Sequence, residues 1–404
     1  KGQFRYKGSL HTISRVTRAK RDAAWRKEST EEDVYHLQIE PEALPVYDQG
    51  VRPPGVLFPQ SQAEDLPGLS SAATHVLQRR RRQTNPIYFI DLVAVVDFRA
   101  YTRFLTSSVN RTSALLSLLE YYTFIVTGVD LLYQGITTTS YRIRVRLVKV
   151  VVAENATFSN FTEQFRQAST PYDTIDSRDG LDAFRGFVSG AGSSAVTPYD
   201  HAMLFTGFDL TSLSASKNNL GLAYVGTLCT PEGYSTSIVE DLGGFACVYT
   251  AAHELGHSIS AQHDGDGNSC NYSDRYIMAA STAPLTEATK LNPWRFSSCS
   301  VQYFTTYITS QLATTNSCLT GTLEVDPSIP EVGDSLPGLN YSAQEQCKML
   351  QMNSSSVLCP GLQGYSLNDD PSRICTQMFC RIPGTNFCSM YTAARGTVCG
   401  DGKA

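Results

Sequence analysis

T-A-A-H-E-L-G-H-S-I-S-A-Q-H-D, running from Thr250 to Asp264, holds three of the chain's seven histidines: His253, His257 and His263. His253 and His257 are four residues apart, so on a helix they project from one face, a turn above each other. Two imidazoles so placed can share one metal ion. Glu254, beside the first, can hold an attacking water and take its proton. His263 can join them only if the helix stops near Ser260 and the chain turns back. Three neutral imidazoles with one position left open form the arrangement of a catalytic zinc, not a closed structural one.

An ordinary core helix can carry H-E-x-x-H by accident. Here the third histidine, Asp264 directly behind it and Y-I-M-A at Tyr276 to Ala279 lengthen the pattern. Together they resemble the metzincin zinc signature followed by its Met-turn. The resemblance implies that Met278 forms a hydrophobic floor under the zinc without binding it. It also reveals a departure, because Ser260 stands where that family usually has glycine and sometimes asparagine. The turn needs φ > 0, which a Cβ atom disfavours by about 1 kcal/mol.

Composition frames this motif. At 404 residues the chain has room for two or three domains. No run of about 18 apolar residues predicts a membrane span. The chain opens K-G-Q-F-R-Y-K-G without an apolar leader, which predicts a fragment that starts inside a longer precursor. Residues 1–82 carry 14 Lys+Arg against 10 Asp+Glu, a net of +4; the remainder carries 19 against 28, a net of −9. An acidic remainder gives no support for nucleic-acid binding. All eleven cysteines fall from Cys229 onward and no C-x-x-C pair occurs. N-glycosylation sequons lie at Asn110, Asn155, Asn160, Asn271, Asn340 and Asn353. Clustered cysteines together with six sequons predict disulfides and a secreted protein.

The basic run Arg79-Arg80-Arg81-Arg82 follows a polar lead and directly precedes a strand-like segment, Ile87 to Val96. A tetrabasic site at such a boundary predicts processing after Arg82 by a furin-like convertase, with residues 1–82 as part of a propeptide. Beyond it, strand and helix patterns alternate. Ile87 to Val96 reads as a buried strand, Arg111 to Tyr133 as a long apolar helix, and Tyr141 to Val152 as a half-exposed strand of period two. Gly180 to Val188 reads as a helix, and His201 to Phe208 and Leu222 to Val225 as further strands. The expected class is a layered α/β (α+β) domain with a mostly parallel twisted sheet and a zinc-binding helix. After Met278, Asn292 to Leu312 reads as an amphipathic helix, and the Pro/Gly/acidic stretch 323–337 as a linker. Residues 338–404 hold six cysteines and form a small disulfide-stabilised module.

The H-E-x-x-H-x-x-x-x-x-H-D and I-M-A motifs are similar to those of the reprolysin (adamalysin) branch of metzincins. L-P-G-L-N-Y-S-A-Q-E-Q-C at Leu336 to Cys347 and A-A-R-G-T-V-C-G-D-G-K at Ala393 to Lys403 resemble the cysteine-rich, disintegrin-like module of secreted ADAMTS proteases. That likeness implies a catalytic domain over 83–322, with His253, His257 and His263 as zinc ligands and Glu254 as general base. It implies an edge strand at Gly221, Leu222, Ala223 and Tyr224 that takes an extended peptide, with a pocket wall from Ala279 to Thr289. It implies calcium held by Asp91, Asp200 and the Cys318 carbonyl, and bridges Cys229–Cys318 and Cys270–Cys299. Cys247 has no evident partner, and an odd cysteine count leaves at least one thiol over. The expected activity is hydrolysis of extracellular-matrix or other secreted proteins. The rival expectation is a pseudo-protease that binds partners through its module, and Ser260 is the feature that favours it.

Overall fold

The computed structural model describes residues 85–399 apart from short internal stretches, the longest being 213–216, 282–285, 313–316 and 360–373, and three strands before residue 40. Those strands, β1 (Gly2–Tyr6), β2 (Ser9–Arg15) and β3 (Tyr35–Ile39), make an antiparallel sheet in that order. Arg82 and the rest of the basic run lie outside the described residues.

The ten residues of β4 (Ile87–Val96) run through the middle of the molecule. The segment has no solvent face because helices cover both sides, so both phases of its alternation are apolar. Ile90, Leu92, Ala94 and Val96 enter one core and Val93 and Val95 the other. β5 (Arg142–Val152) and β7 (His201–Thr206) flank β4 in parallel. β10 (Thr236–Glu240) adds to β7 in parallel, and β9 (Gly221–Ala223) closes the sheet antiparallel to β10. The order is β5-β4-β7-β10-β9, mostly parallel.

Parallel neighbours need a crossover. From β4 to β5 the chain passes through α1 (Phe98–Ser107) and α2 (Arg111–Gln134). Asn110 starts α2 with a capping box: its side chain accepts from Ser113 N–H, and the Ser113 hydroxyl accepts from Asn110 N–H. By length and composition α2 could cross a membrane. Here Leu118, Phe124 and Val129 fill the larger core, and the Tyr121 and Tyr122 hydroxyls donate to the buried Asp241 carboxylate. α3 (Ser177–Ser189) covers the opposite face with Leu181, Phe184 and Val188. α4 (Val248–Ser258) and α5 (Ser298–Leu312) complete the larger core. The segment read as one helix from Asn292 is broken. A 3₁₀ turn at Asn292–Trp294 precedes α5, because Pro293 can only begin a helix.

Several elements escape the sequence pattern. β10 is T-S-I-V-E, with three polar residues in five, yet all five are buried. Each polar residue has a partner, two of them on other strands: Thr236 donates to the Gly233 carbonyl, Ser237 pairs with the His201 ring, and Glu240 accepts from Leu210 N–H. A buried polar strand with partners is stable but carries no hydrophobic signature. The second is α1, and the third a two-stranded parallel sheet of β6 (Thr174–Asp176) and β8 (Asp209–Thr211).

From Leu323 the chain runs back along β5 and the larger core. Asp326 N–H donates to the Val148 carbonyl, and Ile329 and Val332 pack against the larger core. Beyond it, Cys347–Cys380 joins α6 (Ala343–Leu350) to the hairpin β11 (Met378–Arg381)–β12 (Cys388–Tyr391), and Cys359–Cys388 ties the segment after α6 to β12. α6 presses on the loop ahead of α4 so closely that a Cβ at Gly244 would stand 2.2 Å from Leu350 Cγ.

Candidate metal centre

α4 ends as the third histidine requires. Its last residue is Ser258, and Ser260 takes φ +77°, a left-handed backbone. Ser260 N–H donates to the His257 carbonyl and Ala261 N–H to that of Gly256, a Schellman pair that closes the helix. The chain then reverses and brings His263 back beside the helix. The Nε2 atoms of His253 and His257 are 3.1 Å apart, those of His253 and His263 3.1 Å, and those of His257 and His263 3.3 Å.

The opposite ring nitrogens fix the tautomers. His253 Nδ1–H donates to the Ile277 carbonyl at 2.7 Å and His257 Nδ1–H to the Ala261 carbonyl at 2.8 Å. Both Nε2 lone pairs therefore point inward. Burial, with His257 and His263 nearby, holds His253 well below the usual histidine range, and burial pushes His263 down to about 3. Burial thus favours the neutral form of His253 and His263. Four-coordinate zinc with nitrogens at about 2.05 Å separates its ligands by about 3.3 Å, so this donor set fits zinc.

The supports follow the same logic. Asp264 is buried; its N–H donates to the Met278 carbonyl and its carboxylate accepts from the Ser297 hydroxyl at 2.5 Å. Met278 is fully buried under the helix, and a Cβ on Gly256 would lie 2.7 Å from its sulfur. Glycine in H-E-L-G-H thus makes room for the methionine. Glu254 is wholly buried next to the histidines, and β9 runs over it as the sheet edge. Leu222, Ala223 and Tyr224 are buried, and the Tyr224 hydroxyl donates to Asp182. The wall from Ala279 to Thr289 is described only in part, since 282–285 lie outside the described residues.

The second predicted ion site is different. Asp91 and Asp200 do meet: Asp91 N–H donates to Asp200 Oδ2 at 2.8 Å, and Asp91 receives an N–H from Leu323. The Arg146 guanidinium stands 3.2 Å from Asp91 Oδ1 and donates to the Leu323 carbonyl. Burial pushes the Asp200 carboxyl up to about 7 and raises that of Asp91. Arg146 offsets part of the pair's charge, while the buried Asp91 Oδ1 has no hydrogen-bond partner among the described residues. Cys318 is bonded through sulfur to Cys229, and Cys270 to Cys299, as the resemblance implied. Cys247 is a buried free thiol at the start of α4. All six sequon asparagines are exposed.

Two features of the site carried no sequence signal. Arg146 looked like one of three alternating arginines on a half-exposed strand. Asp241 gathers Tyr121, Tyr122 and Arg103 (3.3 Å) and accepts from Gly243 N–H, which fixes the loop that leads into α4.

Comparison with known proteins extends this picture over most of the chain. Residues 89–292 match metallo-peptidase family M12, and residues 337–404 match ADAMTS cysteine-rich domain 2. A silkworm (Bombyx mori) protein named "A disintegrin and metalloproteinase with thrombospondin motifs like" is 27% identical over 82% of this chain and 45% of its own length. Human proteins named with thrombospondin motifs 6 and 7 are 33% and 32% identical, over 52% and 51% of this chain. Those alignments take in 17% and 11% of the human proteins, so the chain spans less than half the length of these curated relatives. With an M12 match over half its residues that takes in the three-histidine helix, and an ADAMTS cysteine-rich domain behind it, the chain belongs to metallo-peptidase family M12 as an ADAMTS-type metalloprotease.

Proposed function

We propose that this chain is a catalytically competent, secreted zinc endopeptidase, made as a zymogen and activated by cleavage after Arg82. The observation that carries the reading is the convergence of three imidazole nitrogens within 3.1–3.3 Å beside the buried Glu254 carboxylate. A cluster of lone pairs aimed at one point repels itself unless a cation sits there. When bound, zinc supplies Lewis acidity toward the scissile carbonyl and the attacking water.

The chain's own residues do the rest. Glu254 takes the proton of the attacking water and returns it to the leaving amine. The unpaired side of β9 (Gly221–Ala223) holds an extended substrate by main-chain hydrogen bonds. Ile277 and Ala261 carbonyls keep the imidazoles in the ligand tautomer. Disulfides and six exposed sequon asparagines support an extracellular setting, with secreted or matrix proteins as substrates.

A pseudo-protease reading draws on Ser260. Its φ of +77° costs serine only about 1 kcal/mol over glycine, which lowers occupancy of the assembled site severalfold and does not abolish it. Secreted material should begin at Gln83, hold one zinc per chain and cut a peptide library in a chelator-sensitive way. Zinc-loaded, processed protein that cleaves no peptide in the library overturns the proposal.

A further inference from the structure

β9 and α4 approach most closely at Gly221 and Glu254. A Cβ built on Gly221 would stand 2.6 Å from Glu254 Oε1, 2.8 Å from Cγ and 2.9 Å from Cδ, inside the 3.0 Å that real Cβ atoms respect. Glu254 is wholly buried, and Gly221 is buried as well. Relief of the clash would have to move Cγ, the second carbon of a helical side chain, which means a change of χ1 within a packed core.

The glycine is not required by its own backbone. Gly221 is not among the residues with positive φ and pairs in ordinary antiparallel register with Val239. Alanine could adopt that conformation, and such a replacement tends to stabilise a chain slightly through the unfolded state. What glycine provides here is space on the edge strand directly over one side chain.

We infer that Gly221 is a positioning residue for Glu254: the missing side chain sets the rotamer in which the carboxylate reaches the metal centre. The inference rests on the reading of Glu254 as general base only for its catalytic consequence, since the packing relation stands without it. Gly221 thus acts on the reaction through the carboxylate, and separately from any main-chain contact that β9 makes with substrate.

A thermal cycle on metal-free protein tests the packing relation without activity. Melting temperatures would be compared for wild type, Gly221→Ala, Glu254→Ala and the double variant, Glu254→Ala removing Cγ, Cδ and both oxygens. Gly221→Ala should lower Tm by roughly 3–6 °C beside Glu254 and by less than about 1 °C beside Ala, because neighbours in contact are non-additive. A single variant that fails to fold while the double folds supports the inference equally. Equal losses in both backgrounds, or failure of both to fold, overturn it.

Zinc-loaded protein gives the second readout. Gly221→Ala should keep one zinc per chain and the wild-type KM on a fluorogenic peptide while kcat falls about 100-fold, the scale of a displaced general base. A raised KM with unchanged kcat would assign Gly221 to substrate binding instead. Zinc-loaded wild type that cleaves nothing would sink the protease reading, and the thermal cycle would still decide about Gly221.

Discussion

The two buried polar clusters of this protein, the histidine centre and the Asp91–Asp200 pair, look alike in sequence terms: each gathers metal-binding residue types in a core. They differ in what charge the chain itself supplies. Around His253, His257 and His263 the protein provides three lone pairs and, among the described residues, no cation. Around Asp91 it provides Arg146 and the Leu323 N–H. A buried site announces a metal when its own groups cannot satisfy one another, and the residue types alone do not say whether they can.

Four substitutions and one calcium titration press on that contrast. The largest effect should come from Glu254→Gln, which removes the base and leaves the ligands. Activity should drop by about 10²–10⁴-fold with zinc content unchanged, and loss of zinc in that variant would mean the carboxylate holds the metal. Next is Arg146→Met, which leaves a buried carboxylate without its cation and should cost roughly 3 kcal/mol. Wild type should melt at the same temperature with calcium added or chelated at constant zinc. A calcium-dependent rise in wild-type Tm would break the contrast, because the acid pair would then be a metal site after all.

Asp200→Asn should have a smaller, pH-dependent effect. The folded carboxyl titrates at about 7 against about 3.9 unfolded. A raised carboxyl costs the folded state nothing below pH 4, and the cost grows to its full value at pH 7. Asparagine should therefore stabilise the protein above pH 7 by roughly 2 kcal/mol, after allowance for solvent screening, and be neutral near pH 4. A difference that is flat with pH would place the titration elsewhere. The smallest effect belongs to Ser260→Gly, which should add about 1 kcal/mol to stability by easing the left-handed turn. Restoration of activity by several orders of magnitude would instead make wild type a crippled enzyme.

Why local spacing carried the histidine cluster, while Arg146 and Leu323 beside the acid pair went unread, follows from chain distance. His253, Glu254 and His257 share one helix, and His263 lies six residues on, so local periodicity carries the geometry. The need for φ > 0 at Ser260 could likewise be read from the turn that His263 demands, and the backbone adopts it. Asp91, Arg146 and Leu323 meet only through the pairing of β4 with β5 and the return of residue 323 across 232 positions. No pattern along the chain records that. The central strand and the apolar helix were legible because burial on both faces writes an unbroken apolar run. β10 was not, because its burial depends on hydrogen bonds to residues from other elements.

The bond between Cys229 and Cys318 has a consequence for how the molecule breaks. It spans 89 residues, and β10, α4, His263, Met278 and the smaller Cys270–Cys299 loop all lie inside that span. The whole candidate centre is therefore strung on a covalent ring, and closing a ring of that size restricts the unfolded chain by about 4–5 kcal/mol. A single backbone cut anywhere on the ring opens it without releasing a piece, since sulfur still joins the two ends. Nicked protein would run as one band without reductant and as two with it, and could keep its histidines together after its peptide chain has been severed.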